Sequence, residues 1–262
     1  MPRVGFGVWR MNEEEAESSV ATALDVGYRS IDTAALYRNE PAVGRAIKSS
    51  GLPRDEIFVT TKLDNVDHGG DKVADAFERS RKNLDLEYVD LYLIHWPIPK
   101  KDLYMETWLA MEELVDRGVV RAIGVSNFKP HHLQRLFDGS QTVPAVNQIE
   151  LNPYITQDEV RRFDSEHGIA TEAWAPLAVG EVLADSVITA IAARVERTPA
   201  QVILRWHLQL GNVVIPKSVR AERMRENIEL FDFSITDHEV EAITALNCGG
   251  GSGLDPDTYN PM

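Results

Sequence analysis

Eight short apolar runs alternate with segments of helical periodicity along this 262-residue chain, and that rhythm leaves very few folds open to it. The runs are Val4–Trp9, Tyr28–Ile31, Ile57–Thr60, Val89–His95, Arg121–Val125, Ala145–Ile149, Ala170–Trp174 and Asn212–Ile215. Within the fourth, Leu91-Tyr92-Leu93-Ile94 is apolar on both alternating faces, as a parallel strand covered on both sides should be. Eight βα units with no linker rich in proline, glycine or serine predict an α/β fold, one closed (β/α)8 TIM barrel over residues 1–262. A doubly wound sheet built for a dinucleotide would carry G-x-G-x-x-G after its first strand, and Gly5-Phe6-Gly7-Val8-Trp9-Arg10 lacks the third glycine. Gly249-Gly250-Gly251-Ser252-Gly253 reads as the start of a flexible tail over 248–262.

The helices carry their own start and stop signals. Asn12 with Glu15 has the spacing of a capping box, ahead of the stripe Ala16, Val20, Ala23 and Leu24, and Gly27 suits the position after the helix end. Thr198-Pro199-Ala200-Gln201 is a second box, opening a helix through Val202, Leu204, Trp206 and Leu208 that Gly211 closes. Thr236 with Glu239 is a third, predicting a helix to Leu246.

A formal charge of −14 repels phosphate backbones and anionic lipid, so nucleic acid and membrane partners are disfavoured. Any anionic ligand then needs a local cationic pocket. The single cysteine, Cys248, forms no intrachain disulfide, and no apolar signal core or membrane-length run is present, so the reading is cytoplasmic. No metal is expected, and with no apolar surface stripe a monomer is the default.

In a barrel the chemistry sits where strands end and βα loops begin. Asp32, Tyr37, Lys62 and His95 fall at such points after the second, third and fourth strands. Each alone has an ordinary structural reading: a cap, a packed ring, a solvated amine, a core histidine. Together they make a general acid. A buried lysine beside a tyrosine favours tyrosinate and lowers the phenol's pKa, the lysine needs a counter-charge that Asp32 supplies, and an imidazole orients a carbonyl oxygen. Late in the chain Lys217, Ser218, Arg220 and Arg223 gather cationic and hydroxyl donors at a helix start after the eighth strand, the usual phosphate site of such a barrel.

These residues resemble the aldo-keto reductase superfamily. The similarity is carried by Gly27-Tyr28-Arg29-Ser30-Ile31-Asp32-Thr33-Ala34 to Tyr37 with Asn39-Glu40 and Val43-Gly44, by Val89 to Pro97, by Ile123 to Phe128, by Asn147-Gln148-Ile149-Glu150 and by Ile215-Pro216-Lys217-Ser218. It runs from Val4 to about Asn247 and is nearest to the bacterial 2,5-diketo-D-gluconate reductase-like group. The resemblance implies an NADPH-dependent carbonyl reductase with the catalytic set Asp32, Tyr37, Lys62 and His95, acting on small aldehydes and ketones. It implies carboxamide contacts at Ser126, Asn127 and Gln148, a ring stacked on the nicotinamide at Trp174, and backbone contact to the pyrophosphate at Leu177. It places 2′-phosphate contacts at Lys217, Ser218 and Arg223, adenine contacts at Glu226 and Asn227, and pocket walls at Trp9, Asp64 and Trp96.

Three departures from the family pattern stand out. The chain lacks the usual hairpin ahead of the first strand, Asp64 stands where an aromatic wall is common, and the segment Leu177–Leu183 is short. Two rival functions remain open to such a sequence. One is a regulatory subunit that holds NADPH with little turnover. The other is a Schiff-base barrel enzyme using Lys62, which leaves Tyr37, Gln148 and Trp174 unexplained.

Overall fold

The structure, a computed structural model, describes residues 1–260. Its strands are β1 (Phe6–Gly7), β2 (Ser30–Asp32), β3 (Phe58–Leu63), β4 (Val89–Ile94), β5 (Val120–Ser126), β6 (Val146–Glu150), β7 (Ala170–Trp174) and β8 (Val213–Val214). They pair in parallel and in sequence order. Bonds from Gly5 N to Val214 O (2.8 Å) and from Val214 N to Arg3 O (3.1 Å) join the last strand to the first and close the barrel. Each predicted run holds a strand. β1 and β8 are shorter than their runs because this seam is held by single bonds rather than by a continuous ladder.

Ten α-helices lie among the described residues: α1 (Glu13–Asp25), α2 (Glu40–Ser49), α3 (Val73–Leu84), α4 (Tyr104–Asp116), α5 (Pro130–Gly139), α6 (Asp158–Glu166), α7 (Ser186–Val195), α8 (Pro199–Gln209), α9 (Ala221–Ile228) and α10 (Asp237–Thr244). All three capping boxes form, at Asn12, Thr198 and Thr236. Helix α10 stops short of Leu246, whose N–H bonds Ile243 O in a tighter final turn. No helix among the described residues is long and apolar enough to cross a membrane.

Alternation along the strands divides the interior in two. Ile31, Val59, Tyr92, Ile94, Val125, Ile149 and Ala173 face outward and join the helices in the main core. Leu91, Leu93 and Val146 face inward and form a separate cluster with Phe58, Ala122 and Ala170. Gly124 makes room for it: a Cβ there would lie 2.8 Å from Leu93 Cδ2 and 2.6 Å from Val146 O. The polar side chains stand above this apolar plug, at the C-terminal ends of the strands.

The helix layer has a contact as strict. A Cβ on Gly44 of α2 would fall inside the Leu84 carbonyl at the end of α3. Backbone cannot yield as a flexible side chain does, so Gly44→Ala should destabilise the fold by about 1–3 kcal/mol. Urea unfolding reads this as a lower midpoint at unchanged slope, and an unchanged midpoint would reject it.

Candidate active site

Strand register places the predicted quartet. Asp32 ends β2 beside Thr60 of β3, and Lys62, two residues on, shares the inward face. Lys62 is fully buried. Its ammonium lies 2.6 Å from Asp32 Oδ1 and 3.0 Å from the Thr33 carbonyl. Tyr37 ends a 3-10 turn (Ala35–Tyr37) that Arg38 terminates in the left-handed region, at φ 59°. The Lys62 ammonium stands 5.1 Å from the Tyr37 ring centre. His95, just past β4, meets the same ring edge-on at 5.7 Å between centroids. The four predicted residues therefore converge on one point of the rim.

Their electrostatics differ in one respect from the expectation. Burial pushes the Tyr37 phenol up, and the Lys62 charge, which pulls it down as expected, does not overcome burial. The expectation of a lowered phenol pKa is corrected accordingly: desolvation wins. Burial also works against the Lys62 ammonium, but Asp32, Tyr37 and Glu172 outweigh it and hold its pKa above the usual lysine value. His95 is held well below the usual histidine range by burial first, then by the charges of Lys62 and His68. It is a neutral imidazole at pH 7.

A polar floor connects the quartet to Ser126, Asn127 and Gln148, the residues expected at the carboxamide. Gln148 of β6 donates to Asp32 Oδ2 (2.8 Å) and to Glu172 Oε2 (2.6 Å) through the same Nε2. Ser126 Oγ donates to the Gln148 carbonyl (2.8 Å). Asn127, at φ 64°, adopts a conformation asparagine tolerates well and donates through Nδ2 to the His95 carbonyl (3.0 Å). Its Oδ1 accepts from the Trp174 indole (2.8 Å), which pins that ring at the end of β7. Glu172 was missed in the sequence, where Ala170–Trp174 reads as one apolar run. Its signal is parity: it shares a face with Trp174 and pairs in register with Gln148.

The remaining predicted residues are spread along the rim. Lys217 is exposed after β8, with Nζ 3.4 Å from the Arg10 carbonyl. Ser218 Oγ accepts from Arg220 N (3.0 Å), and Arg223 lies exposed in the first turn of α9. Glu226 is half-buried and Asn227 buried farther along that helix. Leu177 is half-buried ahead of a short turn whose Val179 and Gly180 take positive φ. Trp9 is exposed under the Arg10 guanidinium, 4.1 Å from its ring centre. Asp64 is turned toward its own loop, 3.6 Å from Arg38 Nη2 and accepting from Val66 N at 3.5 Å. Trp96 is buried against Tyr259, with ring centroids 4.2 Å apart.

Tyr259 belongs to the glycine-rich tail, whose last two positions lie outside the described residues. Ser252 donates to both oxygens of Glu150 (2.8 and 2.7 Å), and Lys129 pairs with Asp255 and Asp257 (2.6 Å each). His131, His132 and Asp257 bring three ligand-type atoms within 4.8 Å of one another. Lys129 occupies Asp257, and its backbone N–H donates to His132 Nδ1 (3.1 Å), so the trio serves to fasten the tail.

Residues 3–248 match the Aldo/keto reductase family. The chain belongs to this family. This aldo/keto reductase is 52% identical to an aldo-keto reductase of Mycolicibacterium smegmatis over 99% of its own length and 94% of the relative's. It is 49% identical to the methylglyoxal reductase DkgA of Yersinia pestis, again over 99% and 94% of the two chains. A solved structure of a Gox0644 mutant in complex with NADPH superposes with a TM-score of 0.95 at 46% identity, covering 99% of this chain and 95% of that one. The barrel and the family resemblance are thus both as expected. Membership makes this aldo/keto reductase an NADP-dependent oxidoreductase.

Proposed function

We propose that the enzyme reduces small aldehydes and ketones to alcohols with NADPH, and that Tyr37 is the general acid. The observation that carries this reading is the contact of Tyr37 with a fully buried, Asp32-paired Lys62 on one side and with a neutral His95 on the other. The residues suit the cofactor. The Gln148 amide turns both N–H groups toward carboxylates and so presents its carbonyl oxygen away from them, free for a carboxamide N–H. Trp174 is pinned beside it, and Lys217, Ser218 and Arg223 supply cationic and hydroxyl donors in an otherwise acidic protein. Bound NADPH supplies the hydride.

The chain's own residues manage the proton. Tyr37, kept protonated by burial, gives its phenolic proton to the carbonyl oxygen as that oxygen becomes an alkoxide. Lys62 then faces the phenolate and balances its charge, with Asp32 holding the ammonium in place. His95, neutral, keeps one N–H with which to orient the carbonyl. The same facts weigh against a Schiff base on Lys62, since an ion-paired ammonium with a raised pKa is not a nucleophile. Methylglyoxal is a candidate substrate on the strength of the relative at 49% identity.

NADPH oxidation with methylglyoxal, a nitrobenzaldehyde and a diketo sugar acid tests the proposal. Turnover on at least one is expected. Tight NADPH binding with no turnover on any would overturn it in favour of a regulatory, cofactor-holding role. The phosphate site has its own test. Arg223→Ala should raise KM for NADPH about ten- to a hundredfold, the loss of a charge-assisted contact, with KM for NADH unchanged. Equal effects on both cofactors would place Arg223 elsewhere.

A further inference from the structure

A carboxyl group lies buried beneath this site without a part in the proton transfer. Glu172, in the middle of β7, is 1% exposed. It faces Gln148 from β6, Asp32 from β2, Lys62 from β3 and the Tyr37 ring, and the one cation among these already pairs with Asp32. A second buried acid beside Asp32 is an expensive choice for stability alone, since an apolar side chain of that size would fill the space without desolvating a carboxyl.

We propose that Glu172 is a positioning residue that fixes the orientation of the Gln148 side-chain amide and through it the grip on the nicotinamide carboxamide. This rests on the reading of the site as an NADPH site. An amide can turn over by exchanging its oxygen and nitrogen at little steric cost. With Asp32 Oδ2 at 2.8 Å and Glu172 Oε2 at 2.6 Å, both flanking groups offer acceptor oxygens to the Nε2 side. The turned-over amide would set its carbonyl against both. Asp32 alone leaves half of that constraint, because its other oxygen is committed to Lys62. Burial first, and then the Asp32 charge, push the Glu172 carboxyl up to about 8. The Gln148 hydrogen bond and the Lys62 charge act the other way and favour the carboxylate, the form that offers the amide only acceptors. The fixed amide presents one acceptor to a carboxamide N–H.

The test uses the full chain and reads binding directly, by fluorescence titration with NADPH and with its reduced 3-acetylpyridine analogue, whose acetyl group has no N–H to donate. Wild type should prefer NADPH over the analogue. Glu172→Met, which keeps the volume and removes the acceptor, should weaken NADPH binding about tenfold, leave the analogue unaffected and so reduce the preference. Glu172→Gln, which retains a carbonyl acceptor, should restore it. The melting temperature of Glu172→Met should hold or rise. An undiminished NADPH preference in Glu172→Met overturns the proposal, as does equal weakening of both ligands together with a lower melting temperature in both variants. Wild type that binds NADPH but turns over no carbonyl would sink the proposed activity, while the same titrations still decide the role of Glu172.

Discussion

Tyr37→Phe should lower kcat for carbonyl reduction about 10²–10⁴-fold, the usual worth of a positioned general acid. The change removes one hydroxyl and keeps the ring that packs against Lys62 and His95, so NADPH affinity and melting temperature should stay near wild type. The pH dependence follows from the direction of the phenol's shift. Burial raises the Tyr37 pKa, so the proton it donates stays in place through the neutral range and beyond. Reduction should therefore be insensitive to Tyr37 titration between about pH 6 and 9. Alcohol oxidation needs the phenolate and should climb steadily with alkalinity. Steady-state rates in both directions across that range check this. A Tyr37→Phe enzyme with near-wild-type kcat, or a reduction rate that falls through neutrality with a phenol's signature, would remove Tyr37 from the acid role.

Much of this molecule is legible in its sequence because barrel strands and their helices obey local rules. That Leu91–Ile94 is covered on both faces follows from its unbroken apolar run, and the boxes at Asn12, Thr198 and Thr236 depend only on residues three apart. The candidate quartet is legible because strand ends mark the rim. What the sequence hides is set by neighbours far along the chain. Glu172 gains its meaning from Gln148, 24 positions away, which in turn donates to Asp32, a further 116 positions away. Asn39 and Glu40 read as part of a functional signature, yet they hold loops together. Asn39 donates to the Val8 and Met11 carbonyls at 3.0 and 3.1 Å, and Glu40 accepts from Thr61 at 2.7 Å and from Asn83 at 3.1 Å. The sign of the Tyr37 shift was equally out of reach. It is a contest between burial and one nearby charge, and burial is a property of the closed barrel.

Lys62→Met should be the most damaging single change in the site, because under the proposed mechanism the ammonium serves stability and catalysis at once. Lys62 is fully buried and Asp32 nearly so, with 2.6 Å between them. Removing the cation leaves Asp32 with the Gln148 amide as its hydrogen-bond donor and no opposite charge. Breaking a buried pair from one side costs about 3–5 kcal/mol, far more than the pair contributes when intact, since the remaining charge stays desolvated. Catalysis loses the positive charge that lowers the phenol and receives the phenolate, so kcat should fall at least as far as in Tyr37→Phe, by about 10³-fold or more. The double variant Asp32→Asn with Lys62→Met separates the two effects. It removes the stranded carboxylate and keeps a polar group for Gln148. Unfolding free energy should return to within about 1–2 kcal/mol of wild type while activity stays lost. Thermal and urea unfolding of the three proteins beside NADPH-linked turnover make the comparison. If the double variant is as unstable as Lys62→Met, the cost comes from lost packing of the lysine stem rather than from an uncompensated charge. If it regains turnover, the ammonium is not what prepares Tyr37.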